Sequence, residues 1–525
     1  MSKRLNISIF AAVVVALSVA VSAAGAQDSS TQPAPGTTPT TVPGTVPDNS
    51  QEPQNTPPEP QSTPPIPAYG QSGAAPIAEN PPISALDQPA LGPHAAPLSY
   101  LQAGATVSET ADSNVANSLG GNGAVHSVSR ALGTLTLRRL WSNFNLAMDY
   151  SGGVGYYNVK GLGFRDLQQL GVLQQISWKR GQFSVRDDFS YLPEGSFGAA
   201  YGSLSTQEST IGGSFGQGFL GGNNFGALGD VPRLMNVAAA DITENLSPKS
   251  AVTLAAGYGV VHFYGSDPAL VGVSFLGSSQ TSVQAGYDRI LTPHDQVALI
   301  YGYQGFSFVP GGCTTFPGSG CVAGTAEPGT SFHSQVVEVA YAHRVSGRFD
   351  FTIAAGPQII NLSECTAEFG LCLPDTTTAD TRLGVAGRAM LRYRFSKTNL
   401  ELSYVRMTTA GSGFFAGAES DIARLQMDRP LGRKWSAFAD LGYARSSRIE
   451  PVGSPIDANT SAYGFAGVGA HRMLGRNFHA FASYQFNELS FDNSICTPGI
   501  ACSRISQRHT GTIGLDWKPR PIRID

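Results

Sequence analysis

Arg382, Arg388, Arg392 and Arg394 fall within the fifteen residues "TRLGVAGRAMLRYRF" (381–395). Side chains of this type could hold or steer anions, because a guanidinium stays charged at any pH the protein meets and donates through several N–H groups. Downstream, Glu401, Arg424, Asp428 and Asp440 add groups of both signs. Facing a water-filled passage, such residues would set up a transverse field and sort solutes by charge. Facing one another on adjacent strands, they would pair and fill a polar interior. The sequence leaves both readings open. Catalysis has little support. The histidines His262, His294, His333, His343, His471, His479 and His509 are scattered, with none at metal-ligand spacing. No enzyme activity, metal or cofactor is expected.

The spacing of the arginines identifies the element that carries them. Arg382, Gly384, Ala386, Arg388, Met390, Arg392 and Arg394 alternate with Leu383, Val385, Gly387, Ala389, Leu391, Tyr393 and Phe395. A period of two predicts a strand with one charged face and one apolar face. The pattern recurs. Residues 250–263 set Val252, Leu254, Ala256, Tyr258 and Val260 against Thr253, Ala255, Gly257 and Gly259. Residues 296–304 alternate apart from Ile300, and 478–487 apart from Phe481. The last strand sets Ile513, Leu515 and Trp517 against Thr512, Gly514 and Asp516. One residue fits badly: Asp187 shares a side with Phe183, Val185 and Phe189, which calls for a bulge or an interface position.

Two kinds of connection join these stretches. Tight turns are centred on Asn143, Arg180, Pro248, Pro293, Gly347, Lys397, Arg433 and Arg476. Long segments rich in Gly, Ser, Pro and Asn cover 109–125, 192–233, 264–279, 309–331, 361–379, 409–418, 448–460 and 492–505, with a shorter one near 158–164. Alternating turns and loops predict about eighteen antiparallel strands, with sixteen as the alternative. The apolar faces are thin and end in aromatic residues, and strands of about ten residues suit a bilayer crossing. The fold class expected is all-β, an up-and-down transmembrane barrel with arginines toward the lumen and leucines toward lipid. The rival is a large soluble β protein, but no motif recurs at the fixed period of a propeller.

The N-terminus supports export. "MSKR", the apolar run "ISIFAAVVVALSVAV" and "SAAGAQ" predict a signal peptide over 1–26. Residues 27–97 form a Pro-rich linker expected to lack order, since 18 of the 34 prolines lie between Thr31 and Tyr100. It reads as a spacer or as a recognition motif for a periplasmic partner. The cysteines come in close pairs, Cys313 with Cys321, Cys365 with Cys372, and Cys496 with Cys502, all within long loops. In an exported chain, local disulfides are their expected use. A net charge of −4 with 14% charged residues argues against nucleic acid as a partner.

On these features, residues 98–525 resemble bacterial outer-membrane β-barrel proteins of the porin type. The opening hairpin "AGATVSETADSNV", with its acidic-x-Asn corner, and the closing strand "TGTIGLDW" carry the likeness locally. The closing strand departs from it by carrying "KPRPIRID" beyond the aromatic residue. The resemblance implies an outer-membrane location, periplasmic termini and turns, and outward long loops. The function expected first is passive or weakly selective diffusion of small hydrophilic solutes, with anions favoured near the arginine ladder. A closed barrel binding ligands through its loops and an export duct for an envelope polysaccharide are the alternatives. Of the long loops, 192–233 is the candidate by length for folding into the lumen, although its many glycines favour a mobile or tightly curved surface loop over a plug. Self-association would need a lipid-facing patch, and the sequence singles none out.

Overall fold

A computed structural model of the protein describes residues 99–115, 120, 123–159, 162–192, 232–264, 277–309, 331–365, 377–411, 415–449, 459–492 and 503–524. The expected signal peptide, the linker, the interior of the 192–233 loop and the proposed disulfides lie outside these residues. Of the six cysteines only the Cys365 backbone, at the end of a strand, is described.

Eighteen antiparallel strands form one closed sheet. In chain order they are β1 (Tyr100–Asp112), β2 (His126–Leu140), β3 (Phe144–Tyr157), β4 (Gly163–Trp178), β5 (Gly181–Leu192), β6 (Arg233–Ser247), β7 (Ser250–Phe263), β8 (Gly277–Ile290) and β9 (Asp295–Val309). They continue as β10 (Ser331–Ser346), β11 (Phe349–Cys365), β12 (Thr377–Arg394), β13 (Asn399–Thr409), β14 (Ala418–Pro430), β15 (Trp435–Arg448), β16 (Thr460–Met473), β17 (Phe478–Phe491) and β18 (Ile505–Trp517). Each strand pairs with its sequence neighbours, and β18 returns to β1. All eight turns expected from the sequence join paired strands. A two-residue β19 (Ile522–Arg523) extends the last strand along the start of β1. The tail beyond Trp517 therefore continues the wall, with Gln102 Nε2 donating to the Pro519 carbonyl (2.9 Å).

Closure is secured by polar side chains on the inner face. Arg508 Nε donates to Asp112 Oδ2 (2.9 Å), and Thr106 donates to Asp516 (2.7 Å). The acidic-x-Asn corner joins the same clamp: Asp112 accepts from the Asn114 backbone, and Asn114 Nδ2 donates to the Gln507 carbonyl (3.1 Å). The bonds of Asp112 to Arg508, Thr106 to Asp516 and Asn114 to Gln507 span 396, 410 and 393 positions in sequence, and full closure leaves no free edge in the band that must cross lipid.

The two faces are reversed relative to a soluble protein. The buried residues include Asp112, Arg138, Asp149, Arg186, Arg233, Asp241, Gln284, Asp288, Glu401 and Asp516. The exposed ones include Val107, Leu254, Leu299, Val339, Leu383, Val385, Tyr443 and Val468. Ile300 and Phe481, which break the sequence alternation, both face inward. Ile300 packs with Ala298, Ala340 and Ala354, and Phe481 lies against Gly514. The inner face therefore tolerates apolar side chains wherever a neighbouring wall residue is small.

Candidate functional site

Register places the expected charged residues on the lumenal side. Arg382, Arg388, Arg392 and Arg394 share one face of β12, and Glu401, Arg424, Asp428 and Asp440 lie on the corresponding faces of β13, β14 and β15. Most of them are neutralised locally. Arg392 is hydrogen-bonded to Asp350 on β11, its Nε donating to Oδ2 (2.8 Å). Arg388 reaches across β11 to Glu338 on β10 (3.4 Å), over the small inner residues Ala354 and Gly356. Arg424 binds Asp440 through two bonds (2.9 and 2.6 Å). Glu401 sits opposite Arg392 in the register and is buried. The ladder is thus half of an alternating network, and Asp350 and Glu338 are its unforeseen members. The signal for them was present, since alternation also puts both on the polar sides of β10 and β11.

Comparable pairs recur around the barrel. Arg138 binds Asp149 (2.7 Å), Arg186 binds Asp241 (3.0 Å), and Arg508 binds Asp112. In a half-dry interior an arginine–carboxylate pair with several hydrogen bonds holds two side chains in fixed positions, and removing one partner strands the other. The inner wall is consequently charged, fixed and nearly balanced. Its outer side is hydrocarbon. The chain is a transmembrane β-barrel.

The described part of the lumen narrows at a place the sequence did not single out. β12 pairs with β11 from Tyr393 to Thr377, but with β13 only from Arg394 to Gly387. Beyond Arg406, β13 leaves β12 and stays paired with β14 up to Thr409–Ala418, while β14 stays with β15. The tip of this hairpin leans inward. Gln358 Nε2, on the inner face of β11, donates to Thr408 Oγ1 (2.7 Å), and a Cβ added at Gly384 on β12 would lie 3.1 Å from Glu419 Oε1. Ala410, Ala416 and Ile449 pack with Phe306, Phe308, Phe332, Ile360 and Leu362 from the inner faces of β9–β11. Gly417 makes the approach feasible. Its φ of +97° suits a residue without Cβ, and a Cβ there would lie 2.3 Å from the Phe332 ring. Of the long loops, then, 409–418 supplies an inward-folded segment among the described residues.

No protein-family model matches the chain, and no curated protein does. Solved structures give likenesses in strand architecture at low identity. OccK2 (OpdF) from Pseudomonas aeruginosa is 7% identical with a TM-score of 0.37, covering 80% of this chain and 98% of that one. OpdK from the same organism, solved with vanillate, is 9% identical with a TM-score of 0.36, covering 80% and 98%. The FrpB iron transporter from Neisseria meningitidis is 8% identical with a TM-score of 0.37, covering 80% and 82%.

Proposed function

We propose that the protein is an outer-membrane channel for passive diffusion of small hydrophilic solutes, with turns and termini on the periplasmic side. The observation that carries this reading is the inner wall. It is lined by fixed ion pairs and amides in a closed sheet of eighteen strands, a circumference that accommodates an aqueous passage. Because each guanidinium of Arg388, Arg392 and Arg424 has a carboxylate beside it, charge selection is weak and local rather than strongly anionic. The β13–β14 hairpin narrows the loop end of the path.

Reconstitution of the folded barrel in planar bilayers tests this, with stepwise ion conductance as the expected result. Folded barrel inserted without conductance rejects it and favours the second reading, a closed barrel acting through its loops. That alternative draws on the hairpin's apolar contacts with Phe306, Phe308 and Phe332. Deleting 410–416 separates the two. A channel gains conductance per step, whereas a barrel sealed elsewhere stays silent.

A further inference from the structure

We propose that the outer face of β4–β6 is a docking surface within the membrane for a second copy of this chain. Asp187 is the starting observation. The register runs unbroken through it, with Val172 on β4 on one side and Ala238 on β6 on the other. No bulge turns it away. It stands exposed on the lipid side, between Val185 and Phe189 along β5, and lies between the turn marked by Trp178 and the loop-end Tyr191.

Its surroundings form a polar patch. Asn236 Nδ2 donates to Asp187 Oδ1 (2.8 Å), the only hydrogen bond of this carboxylate among the described residues. Gln174 is exposed on the same face of β4, and its side chain has no hydrogen bond among the described residues. Farther toward the loops, the Tyr150 hydroxyl donates to Gln168 Oε1 (2.6 Å), which leaves the amide hydrogens of Gln168 unspent. Two other outward carboxylates are bonded where they stand. Asp295, beside a turn, is bonded by Thr292, Tyr341 and His343, and Asp421, toward the loops, by Tyr404 and Arg406.

Hydrocarbon supplies no partner for an aspartate or an amide, so an ionisable side chain on a lipid-facing surface points to another protein surface. The chemistry selects a copy of the same chain, because the patch holds an unspent acceptor, the second oxygen of Asp187, and unspent donors, the amide of Gln174 diagonal to it and that of Gln168 farther toward the loops. Such a surface is complementary to itself, as a two-fold contact requires. Small neighbours permit close approach of the two walls: Ala238 and Ala240 on β6, and Ala256 on β7.

The test uses the full-length barrel in lipid nanodiscs and mild detergent, with mass measured by light scattering and folding checked by heat-modifiable gel mobility. Wild type is expected to self-associate. A Gln174→Leu, Asp187→Leu, Asn236→Leu variant gains a more apolar outer face, still folds, and is expected to dissociate at least ten-fold more readily. Asp187→Asn, which keeps hydrogen bonding, is expected to associate. A photocrosslinker at Ala238 should yield a doubled mass, and one at Val468 on β16 should not. Wild type that is monomeric throughout, a triple-leucine variant that associates unchanged, or crosslinking at Val468 but not Ala238 each overturns the proposal.

Discussion

Two stretches of the inner wall solve the same packing problem differently. From β10 to the start of β15 the inward space is filled by ion pairs: Arg388 with Glu338, Arg392 with Asp350, and Arg424 with Asp440 on β15. Small residues such as Ala354, Gly384 and Ala386 leave room for the long side chains. Across β15–β18 it is filled by rings over glycines. Phe438 lies against Gly469, Phe465 against Gly442, and Phe481 against Gly514, each within 2.5 Å of where a Cβ would stand. Both walls keep the same outer chemistry, with Leu383 and Val385 exposed on one and Val468 and Tyr484 on the other. The membrane constrains the outside of the barrel to be apolar. The inside is constrained in volume and in the pairing of its polar groups, so either rings or ion pairs can fill it.

The largest effect separating the two walls is expected at Arg392. Replacing it with Ala leaves Asp350 buried beside Glu401 without its main partner, at a cost of about 3–5 kcal/mol. Urea unfolding followed by tryptophan fluorescence reads the loss, and the reversal potential in a salt gradient should move toward cations. An unchanged unfolding midpoint would show that the charged wall is not held by its pairs. On the aromatic wall, Gly442→Ala brings a methyl to within 2.1 Å of the Phe465 ring and should cost about 1–3 kcal/mol with no change in selectivity. The matching change on the charged wall, Gly384→Ala, meets only the mobile end of Glu419 and should cost less than about half of that. Equal losses at the two glycines would erase the distinction between rings and ion pairs as fillers.

Arg388→Ala breaks a longer pair, so its expected signature is mainly electrical: a cation-directed shift of reversal potential smaller than that of Arg392→Ala. The smallest effect belongs to Arg406→Ala. Arg406 and Asp421 are more than a third exposed and Glu419 nearly so, in the β13–β14 hairpin at the loop end. A change of less than about 1 kcal/mol and no shift in reversal potential are expected.

The sequence carried much of this architecture. Each of the eight turns was legible because short polar connections between alternating stretches leave few other solutions, and the lumenal side of Arg382 through Arg394 followed from parity alone. The partners of those arginines were less legible. Arg392 finds Asp350 forty-two residues away, and Arg388 finds Glu338 two strands away, distances that no local pattern encodes. For Asp187, parity gave the outward direction, but only the unbroken ladders to β4 and β6 removed the option of a bulge.

What the chain determined by itself is the period of two: which side chains share a face, where strands turn, and that one face suits hydrocarbon. These are local consequences of backbone geometry, fixed within a few residues. The register that sets Asp112 beside Arg508, the inward lean of the β13–β14 hairpin and the gathering of Gln174, Asp187 and Asn236 were decided only by closure. Sealing the sheet fixes the stagger of all eighteen strands at once, and that condition belongs to no single segment.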